Sequence, residues 1–152
     1  MSSAPGAVLL DVNVLVALAW PNHIHHDVAV RWFEDNHRSG WATTPLTQSG
    51  FVRVSSNHKI VPEARTPTEA IVLLHELTAL PGHEFWTDDI AITASAHIDT
   101  ARIVGHRQVT DAHLLALTLR NRGRLGTFDA GLAEVAPSGT SAAELLVVLR
   151  GP

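Results

Sequence analysis

At 152 residues with 45% hydrophobic side chains, the chain is long enough for one domain, residues 1–152, with its own core. A formal net charge of −4 excludes the strongly basic surface of a dedicated nucleic-acid binder, though not a local basic groove. With no cysteine there are no disulfides and no thiolate zinc sites, which suits a reducing cytoplasm.

The opening MSSAPGA lacks the basic start of a signal peptide. The apolar run 8–20 is broken by Asp11 and Asn13 and is shorter than the roughly 20 residues of a membrane span. A soluble, cytoplasmic protein with no membrane partner is therefore expected.

The elements then follow in chain order. AVLLD (7–11) is a short continuous apolar run, the pattern of a strand buried on both faces. VNVLVALAW reads as a helix stopped by Pro21, and residues 26–37 as a second, with Val28, Trp32 and Phe33 at helical spacing. WATT (41–44) is a second strand, and Pro45 suits the first turn of the helix PLTQSGFVRVSSN. After the loop VPEARTP, Thr66 caps a helix over 67–80 that Pro81-Gly82 ends. HEFWTD is a third strand and DIAITASA a short helix, while 100–105 has no clear pattern. VTDAHLLALTLRNRG is the strongest helix, with Thr110 or Asp111 as N-cap and Gly123 at C′. RLGTF is a fourth strand, AGLAEVA a short helix, and ELLVVL (144–149) a fifth strand. Such alternation predicts an α/β fold with a mainly parallel five-stranded sheet covered on both faces.

Two strands run straight into a carboxylate, Asp11 in LLDVN and Asp129 in TFDAG. Sites in open α/β sheets form beyond the carboxyl ends of strands. Asp111, opening the helix before the fourth strand, can reach the same edge. Three converging acids repel one another unless a cation or shared protons offset the charge. Hard oxygen donors without cysteine favour Mg²⁺ or Mn²⁺ over Zn²⁺. An ion held there activates water and stabilises charge on a phosphate during in-line displacement. Taken singly, each aspartate also suits a helix N-cap, worth about 1 kcal/mol.

The series LLDVNVLVAL, then TQSGFVRVSSN, then TDAHLLALTLRNRG followed by TFD resembles the PIN-domain ribonuclease toxins of VapC type, in order and over nearly the whole chain. The resemblance implies an α/β/α sandwich and a Mg²⁺- or Mn²⁺-dependent endoribonuclease acting on structured RNA such as tRNA or rRNA. It also implies neutralisation by a VapB-type antitoxin, and a homodimer. Asp11, Asp111 and Asp129 match three of the family's acids as catalytic and metal-binding residues. The remaining acid is usually a glutamate in the helix after the second strand, where this chain has Gln48. An amide orients water or binds a cation without bringing negative charge. The resemblance further places Asn13 and Gln48 in the pocket. A backbone hydrogen bond is the alternative for Asn13, and a helix-end bond for Gln48. Thr127 either bonds Asp129 or a phosphate, or fills a strand face.

Other polar residues carry weaker signals. HIHHD (23–27) has poor spacing for a metal cluster and reads as a solvated loop and helix start. Asp88 and Asp89 read as a cap for the DIAI segment. His106 and His113 flank the start of the long helix, where either can meet RNA. Arg53 and Arg107 are the candidate RNA contacts, and Arg120, Arg122 and Arg124 read as a solvated helix end. Two other readings compete with the nuclease. One is a catalytically weakened module that binds RNA or antitoxin without cleavage, suggested by Gln48. The other is a phosphatase with an aspartyl nucleophile at DVN, opposed by the absence of a second acid at Asn13 and of a suitably placed lysine.

Overall fold

The computed structural model describes residues 6–151, so most of the MSSAPG start lies outside the description. The chain runs β1 (Val8–Leu10), α1 (Val12–Ala19), α2 (His26–Asn36), β2 (Trp41–Thr43), α3 (Pro45–Ser55), α4 (Pro67–Thr78), β3 (His83–Phe85), α5 (Gln108–Arg120), β4 (Arg124–Thr127), α6 (Ala142–Leu145) and β5 (Leu146–Val148). The five strands form one sheet in the order β3-β2-β1-β4-β5, and every pairing is parallel. The chain first steps outward from β1 to β3, then returns to the other side of β1 for β4 and β5. The order thus reverses between β1 and β4, the kind of place where open α/β sheets bind ligands beyond the strands' carboxyl ends.

Strand alternation divides the core into two layers. Val8, Leu10 and Trp41 face α1 to α4, packing with Val14, Leu15, Phe33, Phe51 and Leu74. Leu9, Ala42 and Leu125 face α5, packing with Leu114, Leu115 and Leu117. β1 is buried along its whole length, which explains its unbroken apolar sequence. Each fully buried leucine here contributes on the order of 1.5–3 kcal/mol. The result is the expected α/β/α sandwich around five parallel strands.

Helix ends follow from their residues. Pro45 occupies the first turn of α3. Thr66 Oγ1 accepts from the Glu69 N–H while Glu69 reaches back to the Thr66 N–H, closing a capping box on α4. α1 packs against α3 at Gly50, where a Cβ would stand 2.6 Å from Val12 Cγ2. The Trp20 indole N–H then ties the end of α1 to Ser55 Oγ on α3 at 3.0 Å.

Four expectations are corrected. DIAITASA forms turns rather than a helix. Asp88 Oδ1 accepts from the Ile90 N–H and the same carboxylate pairs with His113, so side chains, not a helical ladder, fix a segment rich in β-branched residues. α5 starts at Gln108, whose side chain accepts from the N–H groups of Val104 and Gly105. Asp111 therefore sits inside the first turn and is not a cap. At the other end Arg122, not Gly123, takes the left-handed conformation (φ 55), with the Gly123 N–H donating to Thr118 O. Gly123 is needed for closeness instead: a Cβ there would meet Ala7 O at 2.3 Å. Finally, the fifth strand is shorter than ELLVVL, since Glu144 and Leu145 close α6.

Candidate functional site

β1 and β4 run side by side, with Leu10 opposite Gly126. That register brings Asp11 and Thr127 to the same edge, and the Asp11 N–H donates to Gly126 O at 2.9 Å. Asp11 also caps α1, its Oδ1 accepting from the Val12 N–H at 2.8 Å. Its Oδ2 accepts from the Thr127 hydroxyl at 3.0 Å. The same hydroxyl accepts from the Asp129 N–H at 3.1 Å. Thr127, fully buried, therefore couples the two strand-end acids; it is more than filler on a strand face. Asp129 Oδ1 accepts from the Gly131 N–H at 2.8 Å and the residue is exposed. Asp11 and Asp129 thus each cap a backbone N–H; both Asp11 oxygens accept a hydrogen bond, and Asp129 keeps Oδ2 without one among the described residues.

The electrostatics mark these acids as one group. Burial pushes the Asp11 carboxyl above its ordinary value, against the Thr127 and Val12 hydrogen bonds, and nearby Asp129 adds to the rise. Asp111, on α5, is pushed up to about 6 by burial, then by the charges of Asp11 and Asp129. Three carboxylates from three distant segments thus sense one another at the switch point of the sheet. Among the described residues, however, no three His, Cys, Asp or Glu side chains are drawn together closely enough to hold a metal ion as they stand.

Around this group the remaining candidates separate. Asn13 lies exposed in the first turn of α1, with no side-chain hydrogen bond among the described residues, so the alternative for it, a backbone bond, is not formed. Gln48, half-buried on α3, donates its amide N–H to Thr43 Oγ1 at 3.0 Å, and that hydroxyl bonds His83 Nε2 at 2.7 Å. It is held at the end of β2 rather than at a helix end. Arg53 is exposed and lines a shallow groove between α3 and α4 together with Gln48 and Ile71. Arg107 is exposed at the N-terminus of α5, one helical turn before Asp111. Arg120 pairs with Asp89 at 2.8 Å.

Two features escaped sequence reasoning. His113 and Asp88 form a half-buried pair at 2.9 Å, tying the segment after β3 to α5. Nothing in the sequence links positions 25 residues apart across turns. The second is the Thr44 hydroxyl, fully buried at the end of β2 and without a hydrogen-bond partner among the described residues.

Residues 8–137 match the family model described as PIN domain. The chain is 51% identical over 131 residues to Ribonuclease VapC39 of Mycobacterium tuberculosis, spanning 86% of this chain and 94% of that one. It is likewise 51% identical over 144 residues to Ribonuclease VapC38 of the same organism, spanning 93% and 99%. Among solved structures it resembles M. tuberculosis VapC20, a Sarcin-Ricin loop cleaving toxin, with a TM-score of 0.60 and 13% identity over 86% of this chain and all of that one. That last likeness speaks for the fold alone; the sequence matches go further. With its strand order, its strand-end acids and these relatives, the chain belongs to the PIN-domain family, in its VapC branch.

Proposed function

We propose that this chain is an endoribonuclease toxin that hydrolyses phosphodiester bonds in structured RNA with the help of Mg²⁺ or Mn²⁺. The observation that carries the reading is the nearness of Asp11, Asp111 and Asp129 at the reversal point of the sheet, where the charges of Asp11 and Asp129 raise Asp111 and that of Asp129 raises Asp11. A hard divalent cation fits that donor set, which is all carboxylate oxygen. When bound, it supplies water activation and offsets charge on the scissile phosphate.

The chain's own residues do the rest. Thr127 holds the Asp11 carboxylate at 3.0 Å and the Asp129 backbone at 3.1 Å, so these two acids are positioned before any cation arrives. Asp111 is the member with no side-chain hydrogen bond among the described residues, and so the one freest to turn toward a cation. Asp111, pushed up to about 6, still holds part of its proton at pH 6 and gives it up when a cation binds there. Gln48 supplies no charge and its N–H group is committed to Thr43, so the site runs on three acids and favours one cation. Arg107, at the same end of α5 as Asp111, is placed to contact a phosphate, and Arg53 lies further out.

The relatives' names, ribonucleases of VapC type, support RNA as the substrate and imply an antitoxin of VapB type as partner. A homodimer and a cytoplasmic location are further parts of the reading. Among the described residues no helix is long and apolar enough to cross a membrane. Because the two core layers share one sheet, the whole chain reads as a single domain.

Incubating purified chain with total cellular RNA in Mg²⁺, Mn²⁺ or EDTA tests this, with both ends of each fragment mapped. Expected are discrete metal-dependent cuts bearing a 5′-phosphate and a 3′-hydroxyl, since water is the nucleophile. A 2′,3′-cyclic phosphate would rule the mechanism out. The reading as a weakened binding module draws on Gln48. It predicts RNA or antitoxin binding with no cut under any metal, and growth inhibition that persists in Asp11→Asn.

A further inference from the structure

The histidines of HIHHD are not gathered as a cluster. The His26 ring N–H donates to Ala17 O at 2.7 Å, pinning the loop between α1 and α2 to the end of α1. The His25 backbone N–H donates to His23 Nδ1 at 3.0 Å. The His25 ring itself stays exposed and stacks on Phe128, with centroids 4.6 Å apart and planes 25° apart. The His23 ring leans on it from the side at 5.7 Å and 45°. Phe128 is no ordinary neighbour: it stands in the chain between Thr127, which holds Asp11, and Asp129. Its ring is half-buried against the core layer under α1 to α4, so its position is fixed by packing.

We propose that His25, backed by Phe128, is a stacking shelf for an unpaired nucleobase next to the scissile phosphate. The inference rests on the ribonuclease reading and adds a base-contacting residue to it. A net charge of −4 leaves this chain poorly supplied with phosphate contacts. Three of its arginines, Arg65, Arg102 and Arg120, are already paired with acids. Stacking supplies grip without charge, and it suits an RNA loop whose bases are splayed out. An exposed ring immobilised on a packed ring also loses little freedom when a base lands on it. The ring that backs the shelf, Phe128, directly precedes Asp129 in the chain, which ties His25 to the strand end that carries the acids.

The probe is a synthetic RNA hairpin containing a mapped cut, with 2-aminopurine beside the scissile phosphate. Fluorescence is read in EDTA, and cleavage in Mn²⁺. His25→Ala is expected to raise KM about tenfold with kcat within twofold, and to abolish the quenching of 2-aminopurine. His25→Phe, which keeps a flat ring, is expected to restore both. Unchanged KM and quenching in His25→Ala would overturn the shelf, as would a His25→Phe chain that folds yet behaves like the alanine variant. Loss of antitoxin binding with cleavage unchanged would overturn it in favour of a protein contact. If the wild-type chain cuts under no metal, the ribonuclease reading fails by itself, and the quenching comparison, run on a hairpin with 2-aminopurine unpaired in its loop, still decides whether His25 holds a base.

Discussion

At the residue scale, the raised carboxyls set the behaviour of the site with pH. Asp11 and Asp111 both titrate above the ordinary value of 3.8, Asp111 at about 6. The folded chain therefore binds these protons more tightly than the unfolded chain does. Their contribution to cation-free stability is most favourable below about pH 4 and declines as pH rises through about 6. Asp111→Asn removes most of that penalty. At pH 7 without divalent ions it is expected to gain about 1–2 kcal/mol, allowing for solvent screening of a half-buried group. Thermal unfolding at pH 5 and pH 7 checks this: the gain should shrink at the lower pH. Thr127→Val, close in shape, leaves the buried Asp11 Oδ2 and the Asp129 N–H without their partner. A loss of about 1–3 kcal/mol in stability and a fall in RNA cleavage are expected, both restored by Thr127→Ser. Cleavage at the wild-type rate in Thr127→Val would show that the hydroxyl positions nothing that matters. Asp11 and Asp129 were legible in the sequence because each follows a strand, and Asp111 because it lies near the start of the strongest helix. A Thr127 bond to Asp129 is among the readings the sequence allows, but its hydrogen bond to Asp11 is not, because that partner lies 116 residues away and only strand register brings them together.

At the element scale, the buried elements were readable and the pinned ones were not. β1, β2 and β4 lie in the sheet core, where apolar runs bounded by Gly, Pro or Asp leave little choice. DIAITASA carries a similar apolar signal, but His113 and Arg120 on α5 hold Asp88 and Asp89, and that tether decides its shape. Asp111 shows the same limit: a cap by its position in VTDAH, it is in fact one turn inside a helix begun by Gln108. The contact between α1 and α3 is fixed by Gly50, which faces Val12 in the residue pair just after Asp11. Valine is stiff at χ1, so an added methyl group must push the backbones apart. Gly50→Ala is expected to cost about 1–3 kcal/mol in urea unfolding, and to weaken cleavage as α1 carries Asp11 off its bond to Thr127. An unchanged unfolding midpoint would show that the two helices separate freely.

At the scale of the whole molecule, the strand order 3-2-1-4-5 explains why acids at positions 11 and 129 can meet at all. Placing β4 beside β1 joins the first and last thirds of the chain, while α5 delivers Asp111 from the layer beneath. Alternation of elements revealed the sandwich, but not the order of its strands, which only the pairings of the folded chain show. On the function proposed above, this edge is a cation site assembled from three acids. Calorimetric titration of Mn²⁺ into the purified chain tests that assembly, at pH 6 and pH 7.5, beside Asp11→Asn, Asp111→Asn and Asp129→Asn. One bound ion per chain is expected, with weaker binding and more proton release at pH 6, and a loss of at least tenfold in affinity in each variant. Binding of equal strength in all three variants would contradict it, and would place the metal, and with it the chemistry, elsewhere on the protein.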